Sequence, residues 1–162
     1  MLRQYVYIST ADGIGPEDIA SILDSCQHNN SERNVTGLLL YNGRNFLQLL
    51  EGDVEDLSWV MRKIEADPRH NGVSIIEDIA IAGRACPDWL MRHIRIVDQV
   101  PERRVALDAE LPAALEPNLR RIILNFAALN SARSSLRNRA RSPRPFGDPA
   151  AQPSFPRPCL WP

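Results

Sequence analysis

Alternation opens the chain. From Leu2 to Ser9, the residues Leu2, Gln4, Val6 and Ile8 fall on one side of an extended segment and Arg3, Tyr5, Tyr7 and Ser9 on the other, which predicts a strand. Pro16, followed by Glu17 and Asp18, suits a helix start, and Ile19, Ile22, Leu23 and Cys26 give that helix an apolar stripe. It is predicted to end near His28, where the polar run QHNNSERN reads as a connecting loop. Two apolar runs, Leu38 to Tyr41 and Phe46 to Leu50, flank Asn42-Gly43 and predict an antiparallel hairpin. Asp53 is placed to cap a second helix reaching about Ala66, with Val54, Leu57, Val60, Met61 and Ile64 at helical spacing. The run Asp67 to Gly72 stops it. Val73 to Ile81 and Leu90 to Val97 predict two more strands, separated by a loop holding Arg84, Cys86, Pro87 and Trp89. The order is therefore βαββαββ. Two helices with one apolar stripe each must cover one face of a shared sheet, so the expected class is α+β, a ferredoxin-like sandwich over residues 1 to 98.

Beyond residue 98 the character changes. A short helical turn is expected over Pro101 to Ala109, and Glu116 to Leu129 carries Leu119, Ile122, Ile123, Phe126 and Leu129 at helical spacing. Residues 99 to 130 are thus expected to form a C-terminal helical cap over the sheet face that the first two helices leave bare. From Ser131 to Pro162, arginine, serine and proline dominate, and a disordered tail is expected.

Composition narrows the function more than the fold. A formal net charge of -1 argues against a general polyanion binder, so no nucleic-acid partner is expected, and the tail arginines read as a solvated basic segment. Three distant cysteines, Cys26, Cys86 and Cys159, fit a reducing cytoplasm and neither a disulfide framework nor a zinc cluster. No apolar run reaches the roughly 20 residues of a membrane span, and the start of the chain reads as a strand rather than a signal peptide. No hydrolase elbow, phosphate loop, dinucleotide fingerprint or metal spacing is present, and the chain is expected not to be an enzyme. His28, His70 and His93 read as hydrogen-bonding residues, and Glu51 as a solvated or structural strand-end carboxylate.

One polar residue resists this bland reading. Gln48 lies mid-strand on the same side as Phe46 and Leu50, and a buried amide left unpaired costs roughly 1 to 3 kcal/mol, so the fold or a ligand must satisfy it. Tyr7 becomes its neighbour if the first and third strands pair. Asn29 and Asn30 near the end of the first helix, and Asp67, Arg69 and His70 after the second, flank the groove between helices and offer donors and acceptors suited to a planar heterocycle.

These residues, in their order, resemble the BLUF domains, blue-light sensors that use FAD. The resemblance is carried by Tyr7-Ile8-Ser9, Asn29-Asn30, Val35 to Tyr41, Phe46 to Gly52, Asp67-Pro68-Arg69-His70 and Trp89-Leu90-Met91. It departs at Cys86, where the family usually has phenylalanine. It implies FAD, with FMN or riboflavin as substitutes, bound non-covalently between the helices against Ile22 and Ile64. Asn30 would bond the ring's polar edge, and Asn29, Asp67, Arg69 and His70 would serve the ring or its ribityl end. Tyr7 and Gln48 would be the photoactive pair, with Trp89 and Met91 passing the change onward unless Trp89 only packs. The implied output is a separate effector protein or self-association as a homo-oligomer. A light-insensitive regulatory module or a small flavoprotein oxidoreductase is the competing reading.

Overall fold

The computed structural model describes residues 1–11, 13–96 and 101–128. The expected tail from Ser131 to Pro162 and the segment around residue 98 lie outside them. The elements run β1 (Leu2–Thr10), α1 (Pro16–Glu32), β2 (Thr36–Tyr41), β3 (Asn45–Asp53), α2 (Val54–Ala66), β4 (Asn71–Ala80), β5 (Arg92–Arg95), α3 (Pro101–Glu110) and α4 (Pro117–Ala128). The five strands form one mixed sheet in the order β4-β1-β3-β2-β5, the ferredoxin-like arrangement with one added edge strand. All neighbours are antiparallel except β2 and β5, which pair in parallel from Leu38 opposite Arg92 to Tyr41 opposite Arg95.

Strand alternation sorts the sheet into two cores. Tyr5, Tyr7, Leu39, Tyr41, Phe46 and Leu50 meet Ile19 and Ile22 of α1 and Leu57, Val60, Met61 and Ile64 of α2. Val6, Leu38, Leu40, Leu47 and Leu49 point the other way and meet Leu107, Leu111, Leu115, Leu119, Ile123 and Phe126 from α3, α4 and their connection. The C-terminal helices thus cover the second face, as expected. A sheet buried on both faces explains why β2 and β3 are apolar at successive positions. The edge strand β4 escapes this cover, and Ile75, Ile76 and Ile79 remain exposed.

Several boundaries differ from expectation for identifiable reasons. Helix α1 runs past His28 to Glu32, so the run read as a loop is mostly helical. The chain then turns through Asn34 at φ 49, a left-handed conformation that asparagine tolerates, and Val35 N–H donates back to Asn30 O at 2.9 Å. The hairpin corner is shifted by one residue: Asn42 N–H donates to Asn45 O at 3.2 Å, leaving Gly43 and Arg44 at the bend, with Gly43 at φ 87. Asp53 is the cap residue of α2 but its side chain caps nothing, because its Oδ1 accepts from the amino group of Met1 at 2.7 Å. That same ammonium holds the Asp53 carboxyl below its usual pKa. Strand β5 is only four residues long, so Leu90 and Met91 precede it.

Candidate functional site

The helices α1 and α2 leave a cleft between them, about 450 Å³ of empty space open to solvent. Its lining follows two helical stripes. Ile22, Cys26, Asn29 and Asn30 descend α1, while Trp59, Val60, Lys63 and Ile64 descend α2 and continue into Asp67, Arg69 and His70. Every groove residue expected from the sequence therefore reaches the cleft. Ser25, Cys26, Trp59, Val60 and Lys63 were not expected there. The signal existed, since Cys26 is one helical turn beyond Ile22, and Val60 and Lys63 share the stripe of Ile64.

Beneath the cleft lies the pair suggested by the sequence. In the β1–β3 ladder Tyr7 stands directly opposite Gln48. Both side chains are buried, and the Tyr7 hydroxyl donates a short hydrogen bond to Gln48 Oε1. The other end of the amide is less well served. Gln48 Nε2 donates to the thioether sulfur of Met91 at 3.3 Å, a soft acceptor compared with oxygen.

Burial raises the Tyr7 pKa well above the ordinary phenol value, with smaller contributions in the same direction from Cys26 and Asp67, so the ring is a neutral phenol at any physiological pH. Cys26 is likewise held as a thiol. Burial pushes its pKa up to about 11 against the opposing effect of a hydrogen bond with Gln48.

The polar surroundings are organised by short local contacts. Asn30, 1% exposed, donates from Nδ2 to Leu90 O at 2.9 Å, tying α1 to the segment before β5. A hydrophilic residue in a run read as loop is thus among the most buried polar groups of the chain. His70 Nδ1 lies 3.0 Å from Ser9 Oγ, and its ring packs 4.8 Å from Phe46 and edge-on to Tyr7 at 6.2 Å. Burial lowers its pKa, opposed by Asp67 and assisted by Arg69. Arg69 clasps Asp67 at 2.6 Å and reaches the start of α1 through Ser21 Oγ at 3.2 Å, closing one end of the cleft. The clasp holds the Asp67 carboxyl below its usual pKa.

Trp89 and Met91 part company. Met91 is buried in the cleft-side core beside Gln48, whereas Trp89 packs with the core under α3 and α4. Trp89 O accepts from Gly37 N–H at 2.7 Å. Gly37 admits no side chain, because a Cβ there would lie 2.0 Å from Leu49 O. Nearby, Glu51 is fully buried rather than solvated. Its carboxylate accepts from the N–H groups of Ala85 and Cys86 at 2.8 and 2.9 Å, and Arg84 donates to its carbonyl at 2.7 Å. Cys86 fills the second core at 1% exposure, where burial and the Glu51 charge push its thiol up to about 12.

Comparison with known proteins agrees with this geometry. The family model described as sensors of blue-light using FAD matches residues 2–92. A photoactivated adenylate cyclase subunit beta from Euglena longa is 32% identical over 111 residues, covering 65% of this chain and 13% of that protein. The blue light- and temperature-regulated antirepressor BluF of Escherichia coli is 38% identical over 86 residues, covering 52% of the chain and 21% of its own length. The chain therefore spans a minor part of these curated relatives. Among solved structures, the dark state of the BLUF protein BlrB superposes with a TM-score of 0.58 at 31% identity, over 86% of this chain and 95% of that one. Klebsiella pneumoniae BlrP1 gives a TM-score of 0.68 at 27% identity, over 79% of this chain and 35% of its own. With more than half its length matched by the family model, the chain belongs to the BLUF domains, the sensors of blue light that use FAD.

Proposed function

We propose that the isoalloxazine ring of FAD sits in the α1–α2 cleft and that Tyr7 and Gln48 are its photoactive partners. The observation that carries this reading is the Tyr7–Gln48 hydrogen bond on the cleft floor, with the donor end of the amide facing only sulfur. The residues fit a flavin. Ile22, Val60 and Ile64 give apolar walls, and Asn30, Asp67, Arg69 and His70 give polar groups around them, the usual make-up of a site for a planar heterocycle. A buried amide whose donors find only sulfur gains from an oxygen or nitrogen acceptor brought by the ring.

When bound, the flavin supplies light absorption and a strongly oxidising excited state. Tyr7, held as a neutral phenol, gives up an electron together with its phenolic proton, which its bond to Gln48 Oε1 directs into the amide. Gln48 then reorients or tautomerises and presents a donor where it had presented its carbonyl. A new hydrogen bond from Gln48 to a flavin carbonyl moves the absorption modestly to the red, and the return of electron and proton to Tyr7 resets the site in the dark. Met91, in contact with Gln48, feels the change first, and Trp89, two residues earlier on the opposite side of the sheet, carries it toward α3 and α4.

Output follows from the same layout. The relatives named above join light sensing to cyclase or antirepressor activity, and this chain acts in the cytoplasm on a separate effector protein or on a second copy of itself. Residues 1 to 98 form the sensing unit, 99 to 130 the helical relay, and 131 to 162 an unstructured tail. No described helix is long and apolar enough to cross a membrane.

Purified protein is expected to be yellow, with a flavin spectrum that shifts red under blue light and recovers in darkness. Tyr7→Phe and Gln48→Leu should each remove the shift while flavin stays bound, as read by light-minus-dark absorbance. A normal photocycle in both variants would refute the mechanism.

A further inference from the structure

Arg69, Arg33 and Lys63 stand along the rim of the cleft, and two of these three cations are already neutralised. Arg69 is clasped by Asp67. Arg33 pairs with Asp56 at 3.0 Å and lays its guanidinium 3.8 Å above the Trp59 ring. Lys63 differs. It lines the cleft next to Ile64, pairs with no carboxylate among the described residues, and holds its Nζ 5.2 Å from the centre of the same indole. The contact with Trp59 keeps the ammonium at the mouth of the cleft, where its only attraction within the protein is the face or edge of an aromatic ring.

An uncompensated cation at the mouth of a cleft built for a neutral ring favours an anion on the part of the ligand that stays outside. We propose that Lys63 is a specificity-determining residue that selects flavins phosphorylated on the ribityl chain, FMN and FAD, over unphosphorylated riboflavin. The proposal rests on the reading that the cleft holds the isoalloxazine ring. The α2 side of the cleft extends from Trp59 to Asp67, about 12 Å along the helix axis, so a five-carbon chain leaving the ring toward solvent can bring its phosphate to the rim. A lysine ammonium serves a phosphate as a mobile point charge and needs no fixed fork geometry, which suits an exposed rim. Arg33 contributes indirectly by stacking on Trp59, which fixes the surface against which the Lys63 stem lies. The interaction is solvent-exposed, so its strength is that of a surface ion pair and falls with added salt.

The test is a titration of the full chain, stripped of flavin, with riboflavin and with FMN, followed by quenching of flavin fluorescence. At low ionic strength FMN is expected to bind about fivefold tighter than riboflavin, the size of a surface ion pair, and the preference should shrink at high salt. Lys63→Gln should erase the preference and leave riboflavin binding unchanged, while Lys63→Arg should restore most of it. Equal binding of the two flavins by the unaltered chain would overturn the proposal, as would an equal loss for both flavins in Lys63→Gln. In both cases a persistent light-induced shift would leave the cleft reading standing, whereas failure of either flavin to bind would remove that reading too.

Discussion

The two faces of the sheet are built from the same three central strands and solve different problems. The face under α3 and α4 is almost wholly apolar: Val6, Leu38, Leu40, Leu47 and Leu49 meet leucine, isoleucine and phenylalanine side chains. The face under α1 and α2 buries Tyr7, Gln48, Asn30, Ser9 and His70 among its hydrophobic residues and leaves a cleft over them. Consecutive residues of β3 divide between the two, Leu47 and Leu49 facing one way and Gln48 the other. Dry packing supplies stability, and the polar face gives some of it up to keep groups that a ligand can engage.

That division can be broken at its strongest point first. Leu119→Ala opens a cavity in the dry face, and a loss of about 2 to 5 kcal/mol is expected in denaturant unfolding, with the light-induced shift unchanged in the protein that remains folded. A shift lost in step with stability would show that the faces are not separable. Asn30→Ala acts on the other face. Removing the amide leaves Leu90 O without its side-chain donor, and a cost of roughly 1 to 3 kcal/mol is expected together with weaker flavin retention on dialysis. Retained flavin would place the contribution of Asn30 in the fold alone.

The smallest effect is a pH dependence. His70 has a folded pKa below its unfolded value of about 6.5, so the unfolded chain takes up a proton first as pH falls. Its contribution is therefore complete above that value and declines as pH drops through the window between the two. Urea midpoints at pH 7.5 and 5.5 should differ, and His70→Gln should narrow the gap.

How much of this was legible beforehand depended on whether periodicity carried the information. The strand faces were readable because Tyr5 and Tyr7 alternate with Val6 and Ile8, and the second cover was readable because Leu119, Ile123 and Phe126 recur at helical spacing. The pairing of Tyr7 with Gln48 followed from strand order. What escaped was polar material in buried places. Hydropathy assigned Asn29 and Asn30 to a loop, since no local rule tells a buried asparagine from a solvated one. Its burial is decided by Leu90 O, 60 residues away in sequence. Glu51 misled in the same way, because the N–H groups that make its burial tolerable come from Ala85 and Cys86. Trp59 and Lys63 were missed because only the wall residue Ile64 was followed along α2, not its neighbours one turn back.

The mounting of Met91 has a mechanical consequence. Its preceding backbone is pegged twice, through Trp89 O to Gly37 and through Leu90 O to Asn30, and the next residue, Arg92, already belongs to the ladder with Leu38. A main chain fastened on both sides resists sliding, and the compliant part is the methionine side chain with its three rotatable bonds. A push from the neighbouring amide is therefore absorbed as a torsional swing inside a stiff frame, much as a latch turns in a fixed door.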